Sequence, residues 1–133
     1  MDLDHFKELV RAKGWSEYTP NPVTGTLTYL VQNFISKWFA VVIYGLDPER
    51  GTEEVVLEIP GATFEEIKGD LEVIVREIKA LGASISMGVA YGPVTGRRAV
   101  TRREAYYGTP TRRRALKALK IAKRRGGGKI IFM

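Results

Sequence analysis

The sequence has no cysteine and a single histidine, His5. Disulfide frameworks and cysteine-based zinc sites are thereby excluded, and one imidazole supplies neither a histidine cluster nor a Ser-His-Asp set. Amide side chains are scarce too, limited to Asn21, Asn33 and Gln32. With abundant arginine, that composition leans thermophile-like. No apolar run approaches the roughly 20 residues of a membrane helix, and Met1-Asp-Leu-Asp-His5 lacks the character of a signal peptide. The expectation is a cytoplasmic protein with no membrane partner. At 133 residues, 44% apolar and 27% charged, the chain fits one domain over 1–133, with no repeat and no linker.

Acid is nearly missing from the last third. Residues 1–92 hold 8 Lys/Arg and 14 Asp/Glu, whereas residues 93–133 hold 13 Lys/Arg and one acid, Glu104. A solvated surface mixes its signs; this segregation points to a polyanion or triphosphate partner, with the basic segment at 97–125.

The divide between the two halves is Ala83-Ser-Ile-Ser-Met-Gly-Val-Ala-Tyr91. Ile85, Met87, Val89 and Tyr91 recur at period two with small residues between them and no charge on either face. That predicts a central strand covered on both sides. Before it, Leu3, Phe6, Leu9 and Val10 predict a short helix stopped by Gly14, and 15–24 a rigid loop around Pro20-Asn-Pro22. Leu27, Leu30, Val31, Phe34, Ile35 and Trp38 predict a helix over about 26–37. The runs 39–44 and 54–59, separated by Gly45-Leu-Asp-Pro-Glu-Arg-Gly51, predict a hairpin. Thr63-Phe-Glu-Glu66 is a capping box opening a helix that Gly82 ends. A long loop over 92–108 follows, then Thr109-Pro110 starts a basic helix. Gly126–Gly128 stops it before a final strand over 129–132. The predicted order is α-α-β-β-α-β-α-β: an α/β (α+β) fold with one mixed sheet faced by helices, palm- or ferredoxin-like.

In order, these elements resemble the GGDEF (diguanylate cyclase) domain of the palm-like nucleotidyl cyclases. Met1-Asp-Leu-Asp-His-Phe-Lys7 is similar to that family's "DxDxFK", and Gly51-Thr-Glu-Glu-Val55 to "GGDEF". Ser84–Ala90 is similar to "vTvSiGvA", and Ala118-Leu-Lys-Ile-Ala-Lys123 to "ALYxAK". Trp15–Pro22 is also similar to a segment of archaeal GTP cyclohydrolase III. The resemblance implies phosphoryl or nucleotidyl chemistry on Mg²⁺, with Asp2 and Glu54 as metal ligands and Lys123 on phosphate. Thr52 stands where the second glycine is expected and Val10 where an asparagine is expected, so cyclase turnover is expected to be weak or absent and no residue is assigned as catalytic. Only Met1 precedes Asp2. Either the family's first strand lies outside the given residues, or it is lost and Asp2 and Asp4 are acids at a helix start.

Gly108-Thr109-Pro110 opens the basic helix with free N–H groups suited to an anion. Arg112, Arg113 and Arg114, at about 100° per residue, cannot all face one core. They join Lys123 and Thr109 as candidate phosphate or nucleotide contacts. Two functions follow. One is binding of a nucleoside triphosphate or cyclic nucleotide. The alternative is nucleic-acid binding through Arg97, Arg98, Arg102, Arg103, Lys117, Lys120, Arg124 and Arg125, with Tyr106 and Tyr107 stacking on bases. One of the two tyrosines is expected to pack beneath its loop. A homo-oligomer is left open.

Overall fold

Asp2–Leu3 form a strand, β1, in the computed structural model, which describes residues 1–133. Asp2 and Asp4 are therefore not helix-start acids. His5 turns the chain through a left-handed conformation (φ 49°) into α1 (Phe6–Lys13), which Gly14 ends. Helix α2 (Pro22–Trp38) begins earlier than its apolar stripe indicates, because Asn21 caps it and Pro22 occupies its first turn. Strands β2 (Val41–Tyr44) and β3 (Val56–Glu58) form the expected hairpin, irregular in register at Ile43. Helix α3 (Phe64–Ala80) carries the Thr63–Glu66 capping box, and β4 (Ile85–Val89) follows. The segment read as one long loop holds a further helix, α4 (Arg102–Tyr107), before α5 (Pro110–Arg124) and β5 (Ile130–Phe132).

The chain is a mixed α+β fold of the order β-α-α-β-β-α-β-α-α-β. Strand β4 is interior, antiparallel to β1 and parallel to β5, as its charge-free faces require. The expected single sheet is instead two ladders, β1-β4-β5 and β2-β3. They meet at one bridge, Asp2 opposite Glu54, flanked by Leu3 N–H to Glu53 O and Val55 N–H to Met1 O, both 3.0 Å.

Strand alternation sorts the residues onto two faces. Leu3, Ile85 and Met87 join Leu27, Val31 and Phe34 of α2 and Ile67, Leu71, Ile74 and Ile78 of α3 in the main core. The opposite face of β4 carries Ser84, Ser86 and Gly88, and α5 packs there with Ala118, Leu119 and Ala122 buried. Gly88 is required by that approach: a Cβ would strike the Ala115 carbonyl and the Leu119 backbone. No helix is long and apolar enough to cross a membrane.

Candidate functional site

The bridge that joins the two ladders also decides where the acids go. Asp2 pairs with Ser86 on one side and Glu54 on the other, so its carboxylate, that of Glu54 and the two serine hydroxyls share the face covered by α4 and α5. Lys123, in the last turn of α5, reaches down to this face. Its Nζ lies 3.2 Å from Asp2 Oδ2 and 2.8 Å from Asp4 Oδ1. Asp4 is fully engaged: it also accepts from Ser84 Oγ (2.6 Å), Ser86 Oγ (2.8 Å) and the Gly128 amide (2.9 Å). Glu54 is held by Arg102 Nε (2.7 Å) and Tyr106 Oη (2.9 Å) from α4.

The two aspartates respond oppositely to this setting. Burial pushes the Asp2 carboxyl upward, and Lys123 only partly offsets that. Burial pushes Asp4 upward as well, but hydrogen bonds from Lys123, Ser84, Ser86 and Gly128 outweigh it and hold its carboxyl below the usual value. Burial alone would lower Lys123; Asp4 and Asp2 together raise it. The Met1 amino group donates to Val55 O at 3.0 Å, and its burial lowers its pKa to about 6. A polar recess of about 330 Å³ adjoins Glu54. Glu17, Asp47, Glu53 and Glu54 line it against one cation, Arg50, and burial raises the Glu53 carboxyl.

Of the residues singled out in the sequence, Asp2, Glu54 and Lys123 converge here. Arg112 does not. Its side chain is 6% exposed, beside a Glu58 that is 4% exposed, and its Nε lies 3.3 Å from Glu58 Oε2. Its other nitrogens donate to Thr95 Oγ1, Arg97 O and Glu104 O, so it ties α5 and the preceding loop to β3 and keeps a single uncommitted N–H, on a buried side chain, rather than a fork open to phosphate. Arg113 donates to Tyr107 O and Arg114 to Tyr91 O; both stay exposed. Thr109 is spent on the cap of α5, accepting from the Arg112 amide.

In the basic platform, Tyr106 is buried on Glu54 and cannot stack on a base, whereas Tyr107 is half exposed with Lys120 5.8 Å from its ring. Arg102 is committed to Glu54. Arg97, Arg98, Arg103, Lys117, Lys120, Arg124 and Arg125 are exposed. The sequence reading missed Ser84 and Ser86 as partners of Asp4, although period two placed them on one face. It also missed Arg102 and Tyr106 as the groups holding Glu54, because α4 was not foreseen.

The two departures from the cyclase pattern have local causes. Thr52 is fully buried, exchanging hydrogen bonds with Thr28 of α2 (Oγ1 to Oγ1 2.7 Å) and accepting from the Asp47 amide. It fastens the hairpin to α2. Val10 is buried in the core. Comparison with protein-family models, curated proteins and solved structures finds no match to this chain.

Proposed function

We propose that the protein binds a nucleoside triphosphate together with a divalent cation at the Asp2–Glu54–Lys123 cluster. The bridge between Asp2 and Glu54 carries this reading, because it sets the carboxylates of β1 and of the segment before β3 side by side with a lysine within reach. No group of three or more metal-binding side chains occurs. Mg²⁺ suits such a pair: it is commonly held by one or two carboxylates and completes its shell with water and substrate phosphates. When bound, such an ion neutralises phosphate charge and positions the phosphoryl group. Lys123 and Arg102, which neutralise the carboxylates in this structure, are the cations a triphosphate would recruit, and the acidic recess beside Glu54 takes phosphate only with a cation present.

Calorimetric titration of GTP and of ATP, with and without Mg²⁺, tests this. Saturable one-to-one binding that requires Mg²⁺ is expected. Glu54→Gln and Lys123→Ala should each weaken it at least tenfold, by roughly 1.4 kcal/mol or more. Binding indifferent to Mg²⁺ and to both substitutions sinks the reading. Synthesis of a cyclic dinucleotide is expected to be absent or very slow, since Thr52 closes the hairpin against α2 where a second glycine would leave the backbone open to a base. Chromatography of products after incubation with GTP and Mg²⁺ or Mn²⁺ checks that.

A second reading is supported by the exposed cations of α4, α5 and the loop before them, beside half-exposed Tyr107. In it the same face binds single-stranded nucleic acid without catalysis.

A further inference from the structure

Strand β1 occupies only the first part of a longer lane. It lies between residues 53–55 on one side and β4 on the other, so β3 and β4 diverge around it by two strand spacings, about 9.6 Å. Beyond Met1 the two walls run on. A cavity of about 230 Å³ opens there, walled by 55–60 on one side and 87–91 on the other. The gap is too wide for β3 and β4 to bond each other and wide enough for one strand.

Both walls present backbone. Val55 donates its N–H to Met1 O and accepts from the Met1 amino group, so alternation turns the amides of Leu57 and Ile59 the same way. On β4, Met87 N–H and Val89 O face β5, bonding Lys129 O and Met133 N–H, while Ser84 O faces β1 and accepts from Asp4. Gly88 and Ala90 therefore turn toward the cavity. Two strand edges face each other across it, an arrangement that is otherwise a template for pairing.

The lining specifies the occupant. Phe34, Ile67 and Leu71 close one side; Ala115, Leu116 and Leu119 close the other. Alternate side chains of a strand in the lane would thus meet mostly apolar surface, with the Glu58–Arg112 ion pair and Thr111 as the polar part of the lining. A small apolar ligand would fill the volume but leave both backbone edges unbonded.

We propose that this lane accepts an extended apolar polypeptide strand, in line with β1 and antiparallel to both β3 and β4. Continuing the observed register, the occupant residue next to Met1 lies opposite Val56 and Gly88, and the fourth lies opposite Ile59 and Tyr91. This is strand addition with main-chain bonds on both sides. It involves neither the carboxylates nor Lys123, and it stands or falls separately from nucleotide binding.

The probe is the peptide Lys-Lys-Lys-Val-Ile-Val-Ile, titrated against the intact chain and followed by amide hydrogen exchange. Saturable one-to-one binding is expected, with exchange at least tenfold slower at Leu57, Ile59, Gly88 and Ala90. A peptide of the same sequence N-methylated on alternate residues should not bind, and Leu116→Trp, checked for folding by its melting transition, should weaken the parent peptide by narrowing the lane. Equal binding of the N-methylated peptide would reveal an apolar-ligand cavity and overturn the proposal. Because a short free peptide binds weakly, Val-Ile-Val-Ile is also joined directly before Met1, where attachment supplies a high effective concentration. That variant should melt at higher temperature and show the same protected amides; with neither effect, the lane is no strand acceptor.

Discussion

At Asp2 and Asp4, two carboxylates two residues apart on one short stretch contribute to stability with opposite sign. Asp4 is held below its ordinary pKa in the fold. Its contribution is therefore complete above the unfolded value of about 3.9 and is lost as pH falls through the lower folded value. Asp2 is raised, so the folded protein takes up its proton first, and stability is lost as pH climbs from about 3.9 through the raised value. At pH 7, Asp4→Asn should lower the melting temperature and Asp2→Asn should raise it, with the wild-type acid limb flattened in the Asp4 variant. Melting curves between pH 2.5 and 8 check both; a destabilised Asp2→Asn would mean that its pairing with Lys123 outweighs its burial. A higher melting temperature for Asp2→Asn would show a carboxylate kept at a cost to the fold, as the proposed ligand site requires. Arg112 and Glu58 show the contrasting case. Each is almost wholly buried, and Glu58 also receives the Thr95 and Gly96 amides. Arg112→Ala leaves a buried carboxylate short of its cation and should cost about 3–5 kcal/mol in denaturant unfolding, whereas Arg113→Ala should stay within about 0.5 kcal/mol.

At the scale of elements, what was legible depended on whether local signals and tertiary demands agreed. Helix α3 carries a cap, a stripe and a stop, and its Thr63 and Glu66 hydrogen bond as the sequence indicates. Thr63→Ala should accordingly cost about 1 kcal/mol in chemical denaturation. Strand β4 was legible because both its faces are covered and neither can hold charge. Strand β1 was not, because two residues have no period; its pairing comes from Ser86 and Glu54, which are distant in sequence. Helix α4 was signalled by Thr101-Arg-Arg-Glu104, whose threonine does accept from the Glu104 amide, but glycine and arginine around it read as loop. Pro22 stands at a helix start, where its missing N–H costs nothing, rather than in a loop. Of the candidate site, Asp2, Glu54 and Lys123 were legible through a resemblance, whereas their compensation by Arg102, Tyr106 and Asp4 was visible only once β1 was placed. The same sheet predicts that Met87→Asp unfolds the protein, since Met87 is 1% exposed and an unpaired buried charge costs several kcal/mol against a total of roughly 5–15. Circular dichroism at 25 °C is enough to see it.

Over the whole molecule the charge is divided rather than mixed. The acids of the first 92 residues include those around the hairpin recess, and 13 of the 21 cations lie in the last 41 residues. Burial removes Arg112 from that count as a ligand group, and Lys123 and Arg102 are engaged by carboxylates. What is left for a polyanion is the exposed set on α4, α5 and the loop before them, so a test by substitution must be built there and not on the Arg112–Arg114 run. Changing Arg103, Arg113, Lys117 and Lys120 together to Ala leaves the carboxylate cluster and the Glu58 anchor untouched. If the partner is single-stranded nucleic acid, each lost phosphate contact removes about 0.7 from the slope of log affinity against log salt, so four contacts remove about 2.8, with affinity falling alike for all sequences. If the partner is one triphosphate, the fourfold variant should bind it nearly as the parent does, while Lys123→Ala alone weakens it at least tenfold. A titration series over salt, run on both variants with GTP–Mg²⁺ and with a mixed-sequence single strand, separates these outcomes. Should both variants bind both ligands as the parent does, the cations form only a solvated face, and neither functional reading survives.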